Sequence, residues 1–598
     1  MSLPNLVPFC TQAGVLAGLV LSVLLVLGVA GLGLVVGLLP RFFQLRWVVF
    51  APLAGLAVIP LVSLPLALLG LPARTYAWPL LLGLTAVSTG GALRAFQSAG
   101  SLRRRRLAGA FLRRSWSWLL LGFVAVVLLA AGLITNHSRS RVDAVWGSYD
   151  FGSYWTVAAY LQDHGADPAN YPVQTQYHAD DIRDHLLRHA RLGCMTTLAC
   201  LGQIIAPGRL AALLNPLLVA ALWLMVALAQ VFARRERLWP VTGLLMVGSH
   251  PFVYFLLFYS YHSQAFSVLL VVAGLMVAEL SGRSDSPLAG MKGSIAAGLF
   301  FAAAILQYPS AVLAPGFYLA ATLVGRGCRP HLASALVCGA VMLVATGYYL
   351  PQTWRELTWL RQATILPGWD WQRLVDIHEL LGLRSLTVFD PLPPGGLGST
   401  GVTLAITGLF GAALLIHLRK GALPRTSVAL LGSTGLLAAA GYLKFLHGAP
   451  HATHAIAKAV SQYAPFLVVF GVAGAVAAFA APRRKIQGLA LAVVAGFALI
   501  QFLQVSRWRQ APWFDYDLIT LVERHTSTTL PLAFDPGLDR HFVDPLVKDD
   551  RRLAPAGFAG PRLHFTLASR RSTLPGYTLV DEQGAYVALQ GPTAPRSP

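Results

Sequence analysis

The stretch WSWLLLGFVAVVLLAAGLI, residues 116–134, contains no charged side chain. An uninterrupted apolar run of about 18 or more residues is long enough to cross a lipid bilayer as a helix. Comparable uncharged runs occupy residues 15–39, 210–232 and 486–503. Their length excludes a soluble protein with a large core and predicts an all-α polytopic membrane protein.

The overall composition agrees with this class of protein. Of the 598 residues, 56% are hydrophobic and 12% are charged. Soluble domains average about 25% charged residues. The fraction of charged residues is therefore about half the usual value, and the apolar residues are numerous enough for many spans.

The net charge of +21 is concentrated in short gaps between apolar runs. Basic clusters lie at 103–106, 113–114, 234–237, 326–329, 419–425 and 483–485. Lysine and arginine are enriched in the cytoplasmic loops of membrane proteins. We therefore interpret the charge as a marker of the cytosolic face, with membrane lipids as partners and no nucleic acid.

Run length and charge alternation together predict about fourteen spanning helices. The predicted spans are 12–39, 47–70, 77–95, 116–135, 208–232, 238–258, 264–281, 291–307, 309–325, 331–350, 399–418, 425–443, 462–481 and 486–504. This arrangement places the loops 135–207 and 351–398, together with residues 505–598, outside the cytosol. We expect additional N-terminal helices in 1–115, a catalytic membrane core in 116–504, and a small mixed extracytoplasmic domain in 505–598.

The first outer loop contains the clearest catalytic candidate. Asp150 follows the span at 116–135 and is surrounded by aromatic residues that include Tyr154 and Trp155. A carboxylate at the membrane surface can act as a general base toward a hydroxyl group. Asp143 is the second candidate for this role. The alternative is structural: Asp150 caps a helix that runs to about Gln162, within an interfacial aromatic belt.

A second polar segment lies near the end of the membrane core. It contains five basic or titratable side chains: Lys444, His447, His451, His454 and Lys458. Clustered cationic donors suit the phosphate of a lipid-linked sugar. A zinc site and an interfacial polar helix remain alternatives, although the absence of a nearby cysteine or carboxylate disfavours metal. We expect no metal and no cofactor.

Two further features stay open in the outer loops. Arg355 and Arg361 are candidates for substrate contact, and a solvated amphipathic face is the alternative. Cys194 and Cys200 lie six residues apart, and a disulfide between them is a second open alternative.

Several residues of the first loop resemble a known pattern. Asp150-Phe151, Tyr154, Ala158-Ala159, Leu161, Gly165, Asp167-Pro168 and Tyr171-Pro172 are similar to the first-loop signature of GT-C glycosyltransferases, especially family 87-like members of mannosyl- or arabinosyltransferase type. The resemblance covers residues 116–350. It implies a GT-C-like bundle, a polyprenyl-phosphate-sugar donor and a catalytic base at Asp150.

Later motifs match this family less closely. The segment His262-Ser263-Gln264 stands where the family often has a Gly-Gln pair, and Gln307-Tyr308-Pro309 stands where many members have Lys-Pro-Gln. We expect His262, Gln264, Gln307 and Tyr308 to contact substrate, together with Tyr154 and Trp155. The family's lysine is absent from the second segment.

These observations predict a multi-pass glycosyltransferase of the plasma (inner) membrane, with its active site on the extracytoplasmic face. Its acceptor would be a glycan or a glycolipid of the cell envelope, as in polysaccharide biosynthesis. The rivals are a flippase-type transporter of lipid or polysaccharide and a polysaccharide polymerase or ligase with a diphosphate-linked donor. Transporters of this size usually place charges inside the bundle, whereas these predicted spans are almost free of charge.

Overall fold

The computed structural model of this protein is mostly helical. It describes residues 3–97, 115–138, 149–166, 191–207, 210–235, 240–248, 261–284, 286–324, 328–355, 424–446, 462–471, 516–525, 528–535, 560–574 and 576–591, with a few single residues between them. The helices are α1 Leu3–Leu38, α2 Arg41–Gln44, α3 Trp47–Leu68, α4 Ala73–Gln97, α5 Ser115–Ser138, α6 Tyr149–Asp163, α7 Leu192–Ile205, α8 Leu210–Arg235, α9 Pro240–Gly248, α10 His262–Ser281, α11 Pro287–Gln307, α12 Leu313–Val324, α13 Cys328–Thr346, α14 Pro424–Leu446, α15 Gln462–Gly471 and α16 Tyr516–His525.

Six helices within the described residues are long and apolar enough to cross a bilayer. They are Phe9–Leu38, Trp47–Leu68, Ala212–Ala233, His262–Ser281, Pro287–Gln307 and His331–Arg355. The class of helical membrane protein is therefore confirmed. The number of fourteen spans stays a prediction.

The helix positions follow the predicted spans closely at most points. The weakly separated pair at 291–307 and 309–325 is present as α11 and α12, joined by a 3-10 turn at Pro309–Val312. The main difference is at 238–258, where α9 ends at Gly248 and His250 is not helical. Run length alone does not register such a break, because the sequence stays apolar across it.

Part of the predicted first outer loop is a buried helix. Helix α7 is 14 residues long, and its residues from Leu192 to Gly202 are buried. It packs against α3, α4 and α6. We did not predict this helix, because 14 residues are too few for a span and the preceding sequence is polar.

The N-terminal helices belong to the same hydrophobic core as the later ones. Helices α1 and α3 cross where glycines allow their backbones to touch. A Cβ atom at Gly31 would overlap the carbonyl oxygen of Ala51 and the amide nitrogen of Gly55. Small residues at such crossings let membrane helices approach closely, which gives extensive van der Waals contact.

We expect Gly31→Ala to destabilise the protein by about 1–3 kcal/mol, the usual cost of overpacking. Thermal unfolding in detergent measures this loss. Gly18→Ala on the same helix is the matched control, since nothing lies within 4 Å of a Cβ atom there. Equal stability of the two variants would contradict the close crossing.

A small β-structure lies in residues 505–598. The strands are β1 Leu532–Phe534, β2 Leu563–Leu567, β3 Thr578–Gln583 and β4 Tyr586–Gln590, in the order β1-β2-β4-β3. Strands β1 and β2 are parallel, and the other pairs are antiparallel. Helix α16 covers one face with Leu518, Leu521 and Val522, which form a separate apolar cluster with the sheet.

Candidate functional site

A buried polar cluster forms where α6, α7, α10 and the end of α11 meet. We call it the Arg191 cluster and define it by Tyr154, Arg191, His262, Ser263 and Tyr308. These residues come from four segments that are far apart in the sequence. The cluster brings together three of the predicted substrate-binding residues, Tyr154, His262 and Tyr308.

Tyr154 is the centre of the hydrogen bonds in this cluster. Its side chain is 1% exposed, and its hydroxyl group shares a hydrogen bond with the hydroxyl group of Ser263. The Nη1 atom of Arg191 donates to the same tyrosine oxygen at 3.2 Å. Burial of a phenol in an apolar bundle is tolerated here because its hydroxyl group is well bonded.

Arg191 contacts the ring of Tyr308 as well as the hydroxyl group of Tyr154. Its guanidinium carbon is 5.3 Å from the ring centroid of Tyr308, within the range of a cation–π contact. Its backbone is in the left-handed region, with φ 56 and ψ 25, directly before α7. This conformation costs a residue with a Cβ atom roughly 1–2 kcal/mol. Such strain is found most often at functional sites, where the surrounding structure maintains it.

His262 supports the cluster from the first turn of α10. Its ring packs edge-on against the ring of Tyr154 at 5.6 Å. Its Nε2 atom lies 2.9 Å from the carbonyl oxygen of Leu214. A carbonyl oxygen accepts hydrogen bonds, so Nε2 carries the proton in this arrangement. The ring is thereby fixed in orientation between α6 and α8.

A second polar contact joins α7 to α11 beside the cluster. The Nε2 atom of Gln307 donates to the hydroxyl group of Thr197 at 3.2 Å, and Thr197 donates to the carbonyl oxygen of Gly193 at 2.7 Å. Oε1 of Gln307 is buried and has no hydrogen-bond partner among the described residues. A buried amide oxygen of this kind is a natural acceptor for a hydroxyl group of a ligand.

The other predicted residues are distributed as follows. Trp155 and Gln264 are buried, at 3% and 1% exposure. Arg355 is exposed and is the last residue of the apolar helix His331–Arg355. Asp150 is the second residue of α6, and Lys444 lies near the end of α14, but their side chains are outside the described set. Asp143, Arg361, His447, His451, His454 and Lys458 lie outside the described residues altogether.

The predicted helix around Asp150 is present, since α6 runs from Tyr149 to Asp163. Asp150 is the second residue of this helix and lies in its first turn, four residues before Tyr154.

Sequence reasoning missed Arg191. The sequence indicated no role for Arg191, which lies at the end of a polar stretch of the first outer loop. The available signal was its position directly before the apolar run 192–205, which α7 buries. The two cysteines of α7, Cys194 and Cys200, are buried free thiols, so the open question of a disulfide is answered against it.

The described residues contain no group of three or more His, Cys, Asp or Glu side chains that could hold a metal ion. The histidines of the segment 447–458 lie outside that search. The zinc alternative for that segment therefore stays untested.

The fold and the Arg191 cluster define a multi-pass helical membrane protein with a buried, arginine-containing polar site. No protein-family model matches the chain, and no curated protein matches it.

Proposed function

We propose that this protein is an integral-membrane glycosyltransferase that transfers a sugar from a polyprenyl-phosphate donor to an extracytoplasmic glycan or glycolipid. One observation carries the proposal. Asp150 precedes Tyr154 by one turn of α6, and Tyr154 is bonded to the half-buried Arg191. Residues four apart share one face of a helix. The Asp150 position therefore shares a face of α6 with Tyr154, the residue that Arg191 contacts.

This pairing suits the chemistry of sugar transfer from a phosphate. The acceptor hydroxyl group gives its proton to the Asp150 carboxylate, and its oxygen bonds to the anomeric carbon of the sugar. The bond between that carbon and the phosphate oxygen breaks, and the electron pair stays on the phosphate. A general base serves the first event, and a fixed cation stabilises the charge that develops in the second.

Arg191 is the cation best placed for the second role. Its planar guanidinium group offers several donors that match the oxygens of a phosphate. Tyr154 and Tyr308 hold it in place without neutralising its charge. In this proposal Gln307 and His262 border the sugar, as expected from the sequence. The segment 444–458 remains a second candidate for phosphate contact.

The membrane architecture also favours a lipid-linked donor. A polyprenyl chain is too apolar to leave the bilayer, so the enzyme must reach it from the side. In this proposal the polyprenyl chain stays in the bilayer and its head group reaches the Arg191 cluster between the apolar helices. The arginines at 103–114 precede α5, and this charge asymmetry supports an extracytoplasmic position for the loop with α6.

The transporter rival receives less support from the described helices. Charged groups along a transport path usually lie in the bundle interior. Among the described spanning helices, Glu279 in α10 is the one acidic residue. Both of its carboxylate oxygens accept hydrogen bonds within the protein, from Arg283 and Thr426.

Incubation of the purified protein in liposomes with a panel of polyprenyl-phosphate sugars and glycan acceptors tests the proposal. We expect transfer from one class of donor, detected by mass spectrometry of the acceptor. Sealed vesicles loaded with labelled lipid distinguish transfer from transport. Movement of lipid without transfer, or neither activity with a folded protein, would refute the assignment.

Arg191→Gln is expected to raise the apparent KM for the donor by about tenfold to a hundredfold. A hydrogen bond to a charged group contributes about 1.5–3 kcal/mol, and 1.4 kcal/mol corresponds to a factor of ten. Initial rates over a donor concentration series give this value. Arg74→Gln is the matched control, because Arg74 is 60% exposed at the start of α4. An unchanged KM in Arg191→Gln would remove Arg191 from the donor site.

A further inference from the structure

The end of α6 is attached to the turn between α3 and α4. This turn ends α3 with Gly70 at φ 83, and the amide of Leu71 donates to the carbonyl oxygen of Leu66 at 3.1 Å. Gly70 also donates to Ala67 at 3.0 Å. This pair of bonds is a Schellman motif, which needs a left-handed residue and therefore favours glycine. The geometry of the turn is thus strictly defined.

The chain that leaves α6 binds directly to this turn. The amide of Ala166 donates to the carbonyl oxygen of Ala67 at 2.7 Å. The backbones of Gly165 and Gly70 are in contact, because a Cβ atom at Gly165 would overlap the carbonyl carbon of Gly70. Gly165 and Ala166 are both buried. No side chain separates the two segments, so the end of α6 has little freedom to shift.

The same N-terminal helices also hold α7. The hydroxyl group of Ser63 in α3 donates to that of Thr196 in α7 at 3.2 Å, and both residues are 0% exposed. Helices α3 and α4 both pack on α7. Helix α6 carries Asp150 and Tyr154, and Arg191 directly precedes α7. Both elements of the proposed site are therefore held by α3 and α4, and α1 packs against both of these helices.

We propose that α1, α3 and α4 are a positioning frame for the proposed active site, with Gly70 and Gly165 as its positioning residues. This inference rests on the proposed function and gives a role to helices for which the sequence indicated none. The frame sets where α6 lies, and α6 sets the distance between its Asp150 position and Arg191. An error of about 1 Å in such placement can cost about a hundredfold in rate.

Gly165→Ala tests the frame, with Gly83→Ala as the matched control. A Cβ atom at Gly83, on α4, meets nothing within 4 Å. Both proteins are purified as full-length chains in liposomes. Two quantities are measured in each: the kinetic constants for sugar transfer, and amide hydrogen exchange of the peptides that cover 154–166.

For Gly165→Ala we expect kcat to fall at least tenfold, with donor KM within about twofold of the parent. Amide hydrogen exchange at 154–166 should rise in this variant, because the added Cβ atom strains the hydrogen bond between Ala166 and Ala67. Gly83→Ala should match the parent in both measurements. A fall in stability without this separation of kcat from KM would mean that the contact is merely structural, and would overturn the positioning role.

Gly70→Ala is the second variant, in case Gly165→Ala does not fold. At φ 83 a residue with a Cβ atom is strained, so this substitution perturbs the turn itself. Its exchange at 154–166 should rise and its kcat should fall by a smaller factor. Unchanged exchange in both variants would overturn the frame. If exchange rises in these variants but the parent protein transfers no sugar from any donor, the frame stands and the proposed function is refuted.

Discussion

Asp150→Asn is expected to lower kcat for sugar transfer by about a hundredfold to ten thousandfold, the usual contribution of a positioned general base. The amide keeps the size of the side chain but cannot take the proton of the acceptor hydroxyl group. Donor binding should change little, because the proposed phosphate contact is Arg191. Single-turnover rates at saturating donor, together with a direct donor-binding assay, measure the two quantities separately.

The control for this prediction lies on the same helix. Asp163 ends α6, its side chain is 47% exposed, and it forms a surface pair with Arg74 at 3.5 Å. Such exposed pairs contribute little, about 0–1 kcal/mol. Asp163→Asn should therefore retain full activity. Asp143→Asn completes the set: loss of activity there, with retention in Asp150→Asn, would transfer the role of base to Asp143.

The second large effect is expected at Glu279, near the C-terminal end of α10. This side chain is fully buried. Its Oε1 atom accepts from Arg283 at 2.8 Å and lies 4.0 Å from Arg425. Its Oε2 atom accepts from both the amide and the hydroxyl group of Thr426, at 3.0 and 2.8 Å. Glu279 thus caps the first turn of α14 across more than a hundred residues of sequence.

Glu279→Ala is expected to lower the free energy of unfolding by about 3–5 kcal/mol. The substitution removes the acceptor for the first-turn amide of α14 and the anion beside the Arg425 guanidinium group, which is 12% exposed. A buried charge and a helix-end donor each destabilise the folded state when their partner is removed. Equilibrium unfolding in detergent micelles measures the loss.

Two other cations provide graded controls for this measurement. Arg283→Gln removes a partner that is 35% exposed, so we expect a loss of about 1 kcal/mol or less. Lys292→Gln removes an exposed charge from the start of α11 and should be neutral. Equal losses in all three variants would contradict the capping role of Glu279.

Glu279 and His262 lie at opposite ends of α10. Seventeen residues separate them, which at 1.5 Å per residue corresponds to about 26 Å. Variants at Glu279 that still fold should therefore leave the donor KM unchanged. The stability of the bundle and the chemistry of the proposed site can in this way be tested separately.

The helical class of this protein was predictable from short stretches of sequence. In a bilayer, the backbone groups of a segment must form hydrogen bonds within that segment. A long apolar run is therefore stable in the membrane as a helix. This is why α1, α3, α8, α10 and α11 were expected close to where they lie. Helix α7 escaped prediction because a 14-residue apolar segment is ambiguous until its neighbours are known.

The candidate site was predictable only in part. Tyr154, His262, Gln307 and Tyr308 were singled out from a resemblance, and the structure brings them to adjoining positions. Arg191 could not be found in this way, because its importance depends on the left-handed bend before α7 and on rings from two other segments. The same applies to Glu279, whose partner Thr426 is 147 residues away.

The sequence by itself determined that this chain spans a membrane as helices and that an Asp-containing helix begins its first polar loop. Both properties depend on local run length and local polarity, which the bilayer converts directly into structure. Tertiary structure alone decided that Arg191 meets Tyr154, that Gly165 rests on Gly70, and that Glu279 caps α14. Those contacts join segments that are distant in the chain, and they exist only because the packed helices bring small and polar groups to the same place.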